Sequence, residues 1–210
     1  MTLALKPTDA LIVVDAQYDF LPGGALAVAG GDEILPLVNR LTRAFAQVVF
    51  TQDWHPPGHA SFASSHPGKA PFETIELAYG PQRLWPDHCV QGSRGAELHV
   101  SLDLNRANLI LRKGANALVD SYSAFVEADG HTSTGLAAML HARNVGRVFL
   151  CGLATDFCVA FSALDARSAG FDTFVIEDAC RGIDAEGSLA AAWARMATAG
   201  VEKLNSEALL

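Results

Sequence analysis

Short runs of apolar residues, each the length of one strand, alternate along this chain with segments of helical periodicity. The run at 10–14 is continuously apolar and ends at Asp15. A continuous run is typical of a strand buried on both faces of a parallel sheet, so the alternation predicts an α/β fold with helices covering both faces. The predicted strands are 10–14, 48–51, 109–111, 148–151, 173–176 and 201–204, and the predicted helices are 32–47, 134–144, 155–170 and 185–198.

Between 54 and 104 the periodicity fades, and Gly, Pro, His and Ser dominate. A long irregular segment inside a compact domain is uncommon and often functional. The chain has 210 residues, with no internal repeat or linker. This length and organisation predict a single domain over 1–210.

Composition and charge narrow the possible partners. Half of the residues are apolar and 18% are charged, as in a globular protein. The net charge of −8 and the lack of a basic run argue against nucleic acid as a partner. No apolar run is long enough to span a membrane, and the first residues lack a signal-peptide pattern, so we expect a cytoplasmic protein with no membrane partner. The four cysteines are then expected to be thiols.

Reactive side chains follow four of the predicted strands. Asp15 ends the first strand, Asp53 and His55 follow the second, Lys113 follows the third, and Cys158 comes shortly after the fourth. Ligands of open α/β sheets bind outside the carboxyl ends of the strands. Each residue alone has an ordinary structural explanation, but their joint placement at one rim predicts an active site.

Cys158 is the predicted nucleophile. It falls in the first turn of a predicted helix, where the helix dipole is expected to lower the pKa of the thiol. Asp15 is predicted to accept the thiol proton and return it to a leaving amine, with Lys113 holding both groups. The backbone N–H groups of Ala154 and Cys158 are predicted to form an oxyanion hole. The alternative is an inert buried thiol, but the surrounding cluster favours hydrolysis of a small amide.

A metal site is predicted beside the nucleophile. Asp53 and His55 are one residue apart, so at the end of an extended strand their side chains point the same way. His88 is the best third ligand, and Asp/His/His ligation suits Zn²⁺, Fe²⁺ or Mn²⁺. His59 and His66 are rival ligands, interpreted here as solvated loop residues.

Three aromatic residues are predicted to line a pocket at the same rim, although aromatic residues are more often part of the core. They are Phe20, Trp85 and Tyr122. A flat ring stacked there, with a ring nitrogen on the metal, would place a carboxamide near Cys158.

Several motifs carry a resemblance to a known family over nearly the whole chain. They are VDAQYDF at 14–20, TQDWHP at 51–56, LWPDHCV at 84–90, KG at 113–114, DSYSAF at 120–125, GLATDFCV at 152–159 and DACRG at 178–182. Together, and in this order, they resemble the nicotinamidase/pyrazinamidase family of the isochorismatase-like cysteine hydrolases.

The resemblance implies a three-layer, doubly wound fold with a six-stranded parallel sheet flanked by helices, and a cis peptide bond before Ala154. It implies a metal-dependent cysteine amidohydrolase that converts nicotinamide to nicotinate and ammonia through a thioester on Cys158, in NAD salvage, and that also accepts pyrazinamide. Zinc is the metal favoured, and some members recruit a further histidine, which keeps His59 and His66 open. The implied triad is Asp15, Lys113 and Cys158, and the implied metal ligands are Asp53, His55 and His88.

Two alternatives remain at this point. Another amidase of the superfamily, acting on a carbamoyl or ureido compound, would share the triad without needing the metal. A non-catalytic metal-binding module would make Lys113 and Cys158 coincidental. The sequence leaves open whether the chain forms a homo-oligomer.

Overall fold

The computed structural model describes residues 3–210 and contains a six-stranded parallel sheet in the order β5-β2-β1-β6-β7-β8. The α/β fold predicted from the alternating pattern is therefore confirmed, with every pairing in this sheet parallel. The strands are β1 Asp9–Val14, β2 Gln47–Asp53, β3 Thr74–Leu77, β4 Gly80–Arg83, β5 Leu109–Lys113, β6 Arg147–Leu153, β7 Asp172–Arg181 and β8 Glu202–Leu204.

The centre of the sheet is formed by β1 and β6. All six residues of β1 and six of the seven in β6 are buried, as expected of strands covered on both faces. From β1 the chain continues to β2 and β5 on one side, and from β6 to β7 and β8 on the other. The carboxyl ends of β1 and β6 are therefore the switch point at which such sheets bind ligands.

The four α-helices are shorter than predicted because each begins or ends in a tighter or wider turn. Residues 155–170 start as a π-helical turn, Thr155–Val159, in which Ala154 holds the N-cap position without a side-chain cap. No helix within 3–210 is long and apolar enough to cross a membrane. The α-helices are α1 Leu35–Ala44, α2 Leu136–Ala142, α3 Ala160–Ser168 and α4 Ser188–Thr198.

The irregular segment from 54 to 104 contains an antiparallel hairpin, β3–β4, that the sequence pattern did not predict. Each strand has only four residues, and most are exposed or half-buried, so no apolar alternation marks them. Gln82 is the one buried residue of the hairpin.

Candidate active site

Lys113, the last residue of β5, is the centre of a buried charge cluster. Its Nζ lies 2.8 Å from Asp15 Oδ2, 3.1 Å from Asp53 Oδ1 and 3.5 Å from Cys158 Sγ, and it donates to the Ser121 carbonyl at 2.9 Å. The register of β2 and β5 sets Asp53 directly opposite Lys113. One ammonium group thus joins the nucleophile predicted from the sequence to both strand-end carboxylates.

The charges of this cluster follow from burial and mutual attraction. Burial raises the pKa of the Asp15 carboxyl, even though Lys113 acts in the opposite direction. Burial would lower the pKa of Lys113, but Asp15 and Asp53 outweigh it and hold that pKa well above its usual value. Burial likewise opposes ionisation of Asp53, but His55 and Lys113 bring its pKa well below the usual range. Lys113 and Asp53 are therefore both charged.

The Cys158 thiol differs from its sequence-based prediction. Burial raises its pKa well above the usual value, and the carboxylates of Asp15 and Asp53 raise it further, whereas Lys113 only partly compensates. The predicted lowering of this pKa by the helix dipole is wrong because desolvation of the thiolate and two nearby negative charges dominate. The resting nucleophile is a thiol that needs a proton acceptor.

Asp15 is held in a position to be that acceptor. The Thr51 hydroxyl donates to Asp15 Oδ1 at 2.5 Å and accepts the Asp15 backbone N–H at 3.1 Å. Asp15 Oδ2 is buried and pairs with the Lys113 ammonium at 2.8 Å, and the Asp15 carboxylate also lies within hydrogen-bond reach of the Cys158 thiol. Thr51 and Lys113 thus anchor the carboxylate beside the thiol whose proton it takes.

Asp53, His55 and His88 form a second group beside the first. Asp53 Oδ2 lies 2.9 Å from His55 Nε2 and 3.5 Å from His88 Nε2, and all three side chains are buried. Nδ1 of His55 faces the Gly114 carbonyl at 3.0 Å, and Nδ1 of His88 faces the Pro86 carbonyl at 2.8 Å. Since a carbonyl only accepts, each Nδ1 carries the proton, which leaves both Nε2 atoms as ligands. The geometry fits a divalent metal.

The other two candidate histidines lie outside this group. His59 is fully buried, with its ring centroid 4.2 Å from that of His55, so its interpretation as a solvated residue is wrong. Its Nδ1 contacts the Ser61 hydroxyl at 2.7 Å and its Nε2 the Asn116 carbonyl at 2.9 Å, so both ring nitrogens are occupied by the protein. His66 is half-buried and contacts a carbonyl of its own loop.

A small pocket lies beside both groups and is lined by residues of each. The Trp85 and Tyr122 rings meet edge to face, 6.3 Å apart at 86°, and Phe20 meets the edge of His88 at 5.5 Å. All three predicted aromatic residues therefore face the pocket. Its lining residues are Phe20, Leu26, Asp53, His55, Trp85, His88, Asp120, Tyr122, Ala154, Phe157, Cys158 and Ile183.

The backbone before the nucleophile turns sharply at Ala154. The Ala154 carbonyl accepts the N–H groups of Phe157 and Val159, each at 3.1 Å, and not that of Cys158. Ala154 and Cys158 both line the pocket, as the predicted oxyanion hole requires.

Comparison with known proteins decides the family. The sequence model of the isochorismatase domain matches residues 9–208. The chain belongs to the isochorismatase family. The cis Leu153–Ala154 peptide bond, which the resemblance to this family implies, is present.

Relatives within the isochorismatase family are similar over nearly their full length. A nicotinamidase of Acinetobacter baylyi is 58% identical, over 96% of this chain and 94% of the relative. The structure of a nicotinamidase and pyrazinamidase of Acinetobacter baumanii has a TM-score of 0.97 at 56% identity, covering 99% of this chain and all of that one. A pyrazinamidase of Pyrococcus horikoshii in complex with zinc has a TM-score of 0.77 at 39% identity, covering 95% and 99% of the two chains.

Some pocket residues of this family member were not singled out from the sequence. Asp120 and Phe157 lie inside the motifs DSYSAF and GLATDFCV, so the signal was present but was not resolved to these positions. Leu26 and Ile183 belong to loops without a pattern, and only the tertiary fold brings them to the pocket.

Proposed function

We propose that this chain is a metal-dependent nicotinamidase that also accepts pyrazinamide, and that it supplies nicotinate for NAD salvage. The observation that carries the proposal is the contact of Cys158 with the Asp15–Lys113 pair at the base of a small aromatic pocket. Its relatives' names, nicotinamidase and pyrazinamidase, agree with a flat heteroaromatic amide as the substrate.

The pocket suggests one orientation of the substrate. Phe20, Trp85 and Tyr122 supply apolar surface for a ring, while Cys158 and the Asp53 group lie along the same lining. With the ring nitrogen directed toward the Asp53 group, the carboxamide carbon faces Cys158. An open-chain carbamoyl or ureido compound would leave the apolar aromatic wall without a partner, so this alternative is less well supported.

Asp53, His55 and His88 would hold the metal, and Zn²⁺ is favoured over Fe²⁺ or Mn²⁺. Mixed carboxylate and imidazole ligation suits zinc, and the Pyrococcus horikoshii pyrazinamidase is a zinc complex. When bound, the ion supplies a Lewis-acid site for the ring nitrogen of the substrate. Two carboxylates, Asp15 and Asp53, face one ammonium in the bare cluster, so a cation also compensates the excess negative charge.

Acylation begins with proton transfer from Cys158 Sγ to Asp15 as Sγ bonds to the amide carbon. The backbone N–H groups of Ala154 and Cys158 stabilise the oxyanion. Asp15 then gives its proton to the leaving nitrogen, the C–N bond breaks, and ammonia departs from the thioester.

Deacylation repeats these roles with water. A water molecule transfers a proton to Asp15 and adds to the thioester carbon. As the C–S bond breaks, Asp15 returns the proton to Sγ, and the thiol is restored. The product is nicotinic acid, which loses its remaining proton to solvent and leaves as nicotinate. Lys113 keeps its charge throughout and orients Asp15.

The deciding experiment measures ammonia release from nicotinamide by metal-loaded enzyme, chelated enzyme and Cys158→Ala. We expect activity only in the loaded wild-type enzyme, with recovery of the chelated enzyme after zinc is restored. Full activity of Cys158→Ala would refute the nucleophile. Activity on a ureido compound but not on nicotinamide, unchanged by chelation, would favour the other amidase.

A further inference from the structure

Gln82 occupies an unusual position in the hairpin β3–β4. Its side chain is only 2% exposed, whereas every other residue of the two strands is exposed or half-buried. Burying a primary amide costs free energy unless its polar atoms find partners. The hairpin therefore places one polar group inside the protein, and the partners of that group indicate what it does there.

Each polar atom of the Gln82 amide is bonded. Nε2 lies within hydrogen-bond distance of three acceptors that share its two hydrogens, the Arg83 carbonyl at 2.6 Å, Asp120 Oδ2 at 2.8 Å and the Tyr122 hydroxyl oxygen at 3.1 Å, and Oε1 accepts the Tyr79 hydroxyl at 3.0 Å. A carboxylate and a carbonyl only accept, so the amide has one acceptable orientation, with Nε2 toward the pocket residues.

Two of these partners, Asp120 and Tyr122, line the substrate pocket. The Tyr122 hydroxyl oxygen accepts a second hydrogen bond, from Trp85 Nε1 at 2.8 Å. Gln82 and Trp85 thus hold this oxygen from two sides, while the Tyr122 and Trp85 rings meet edge to face. The hydrogen bonds behind the aromatic wall therefore hold the angle between its two rings.

We propose that Gln82 is a positioning residue that fixes Tyr122, and through it Trp85, at the angle that binds a flat heteroaromatic amide. The proposal rests on the proposed nicotinamidase function and deepens it. Gln82 itself is absent from the pocket lining and bonds none of the reacting groups. Its loss should therefore weaken substrate binding much more than the chemical step.

The test compares Gln82→Met, which keeps the length of the side chain and removes its hydrogen bonds, with Gln47→Met. Gln47 is a half-buried glutamine at the amino end of β2 that accepts from Arg143 at 3.1 Å, so it is a matched control remote from the pocket. We expect Gln82→Met to raise KM for nicotinamide about 5- to 10-fold, with kcat changed less than about 2-fold. Gln47→Met should match the wild type in both.

A double-mutant cycle with Tyr122→Phe separates positioning from general loosening. Tyr122→Phe removes the hydroxyl through which Gln82 acts, so Gln82→Met should add less than about 2-fold to KM in that background. The proposal would be overturned if the effects of Gln82→Met and Tyr122→Phe on KM multiply in the double variant, or if Gln82→Met leaves KM unchanged. If Gln82→Met does not fold, Gln82→Leu replaces it, because it is of similar size, brings no new charge and also removes the hydrogen bonds of the amide.

Calorimetric measurement of nicotinate binding to each variant gives the same comparison without turnover. We expect the Kd of Gln82→Met to rise about 5- to 10-fold, which corresponds to the loss of one hydrogen bond. If the wild-type enzyme hydrolyses nicotinamide and Gln82→Met keeps the wild-type KM and nicotinate affinity, the role of Gln82 is refuted and the proposed function stands. Wild-type enzyme that neither hydrolyses nicotinamide nor binds nicotinate refutes the proposed function, and this inference with it.

Discussion

The sharpest test of the mechanism is Asp15→Asn, because the structure allows the substitution without a change of shape. The asparagine amide oxygen can take the place of Oδ2, which lies 2.8 Å from Lys113 Nζ. Its NH₂ group then faces the Thr51 hydroxyl, which now donates to Oδ1 at 2.5 Å and is able to rotate and accept instead. Packing and the contact with Lys113 are kept, whereas the carboxylate charge and the ability to take a proton are lost.

The expected loss follows from the role of Asp15 in both half-reactions. General acid–base catalysis by one side chain contributes about 10²- to 10⁴-fold, and we expect kcat/KM for nicotinamide to fall about 10³-fold, or about 4 kcal/mol of transition-state stabilisation. Most of the metal should be retained, because the ligands Asp53, His55 and His88 are unchanged, and nicotinate should bind at least as tightly as to the wild type, because a negative charge beside Cys158 is removed.

The assay is ammonia release by metal-loaded Asp15→Asn, with Asp165→Asn as the control. Asp165 is a half-buried carboxyl in α3 whose pKa is also raised by burial, but it lies outside the pocket. We expect its variant to match the wild type. Retention of more than about a tenth of the wild-type kcat/KM by Asp15→Asn would refute a proton-transfer role. Equal losses of nicotinate binding and activity would show that Asp15 acts through structure.

Two further predictions concern the metal and the pH dependence of stability. In elemental analysis, Asp53→Ala should have lost most of its bound zinc, and it should bind nicotinate more weakly. Asp87 is an exposed neighbour of His88, and Asp87→Ala should keep both the zinc and the nicotinate affinity. Unchanged zinc content in Asp53→Ala would contradict the ligand set. Burial raises the pKa of the Cys151 and Cys158 thiols above the ordinary 9.0. Above about pH 9 these thiols ionise in the unfolded chain but stay protonated in the folded protein. Their contribution to stability is therefore complete below that pH and is lost as pH rises, so the free energy of unfolding should fall above about pH 9. A constant unfolding free energy from pH 8 to 10 in urea titrations would contradict this sign.

Much of the site could be predicted from the sequence because its reactive residues lie at or just after the carboxyl ends of strands. The strands β1, β2 and β6 each contain an apolar run, and each leads directly to a reactive residue or its turn. Asp53 and Lys113 end neighbouring parallel strands in register, so their contact follows from the topology once β2 and β5 are placed side by side. No knowledge of side-chain packing is needed for this step.

The remaining features depend on tertiary contacts that have no local pattern. The hairpin β3–β4 is mostly exposed, and its one buried residue, Gln82, is polar, so hydrophobic periodicity cannot reveal it. His59 is surrounded by a histidine-rich loop that suggests exposure, yet the fold packs it against His55 and the Asn116 carbonyl. The burial of Gln82 and His59 therefore depends on how the loops pack together in the folded protein, which no local sequence pattern shows.

The pKa of Cys158 changes how activation of the nucleophile should be understood. A helix start alone suggests a preformed thiolate, but burial and two carboxylates keep the proton on sulfur in the resting site. Asp15, with its own pKa raised by burial, is a better acceptor than an ordinary carboxylate, and proton transfer to it accompanies formation of the Sγ–carbon bond. Activation of Cys158 is thus coupled to the presence of an amide carbonyl, which protects the idle thiol from adventitious reaction with electrophiles and oxidants.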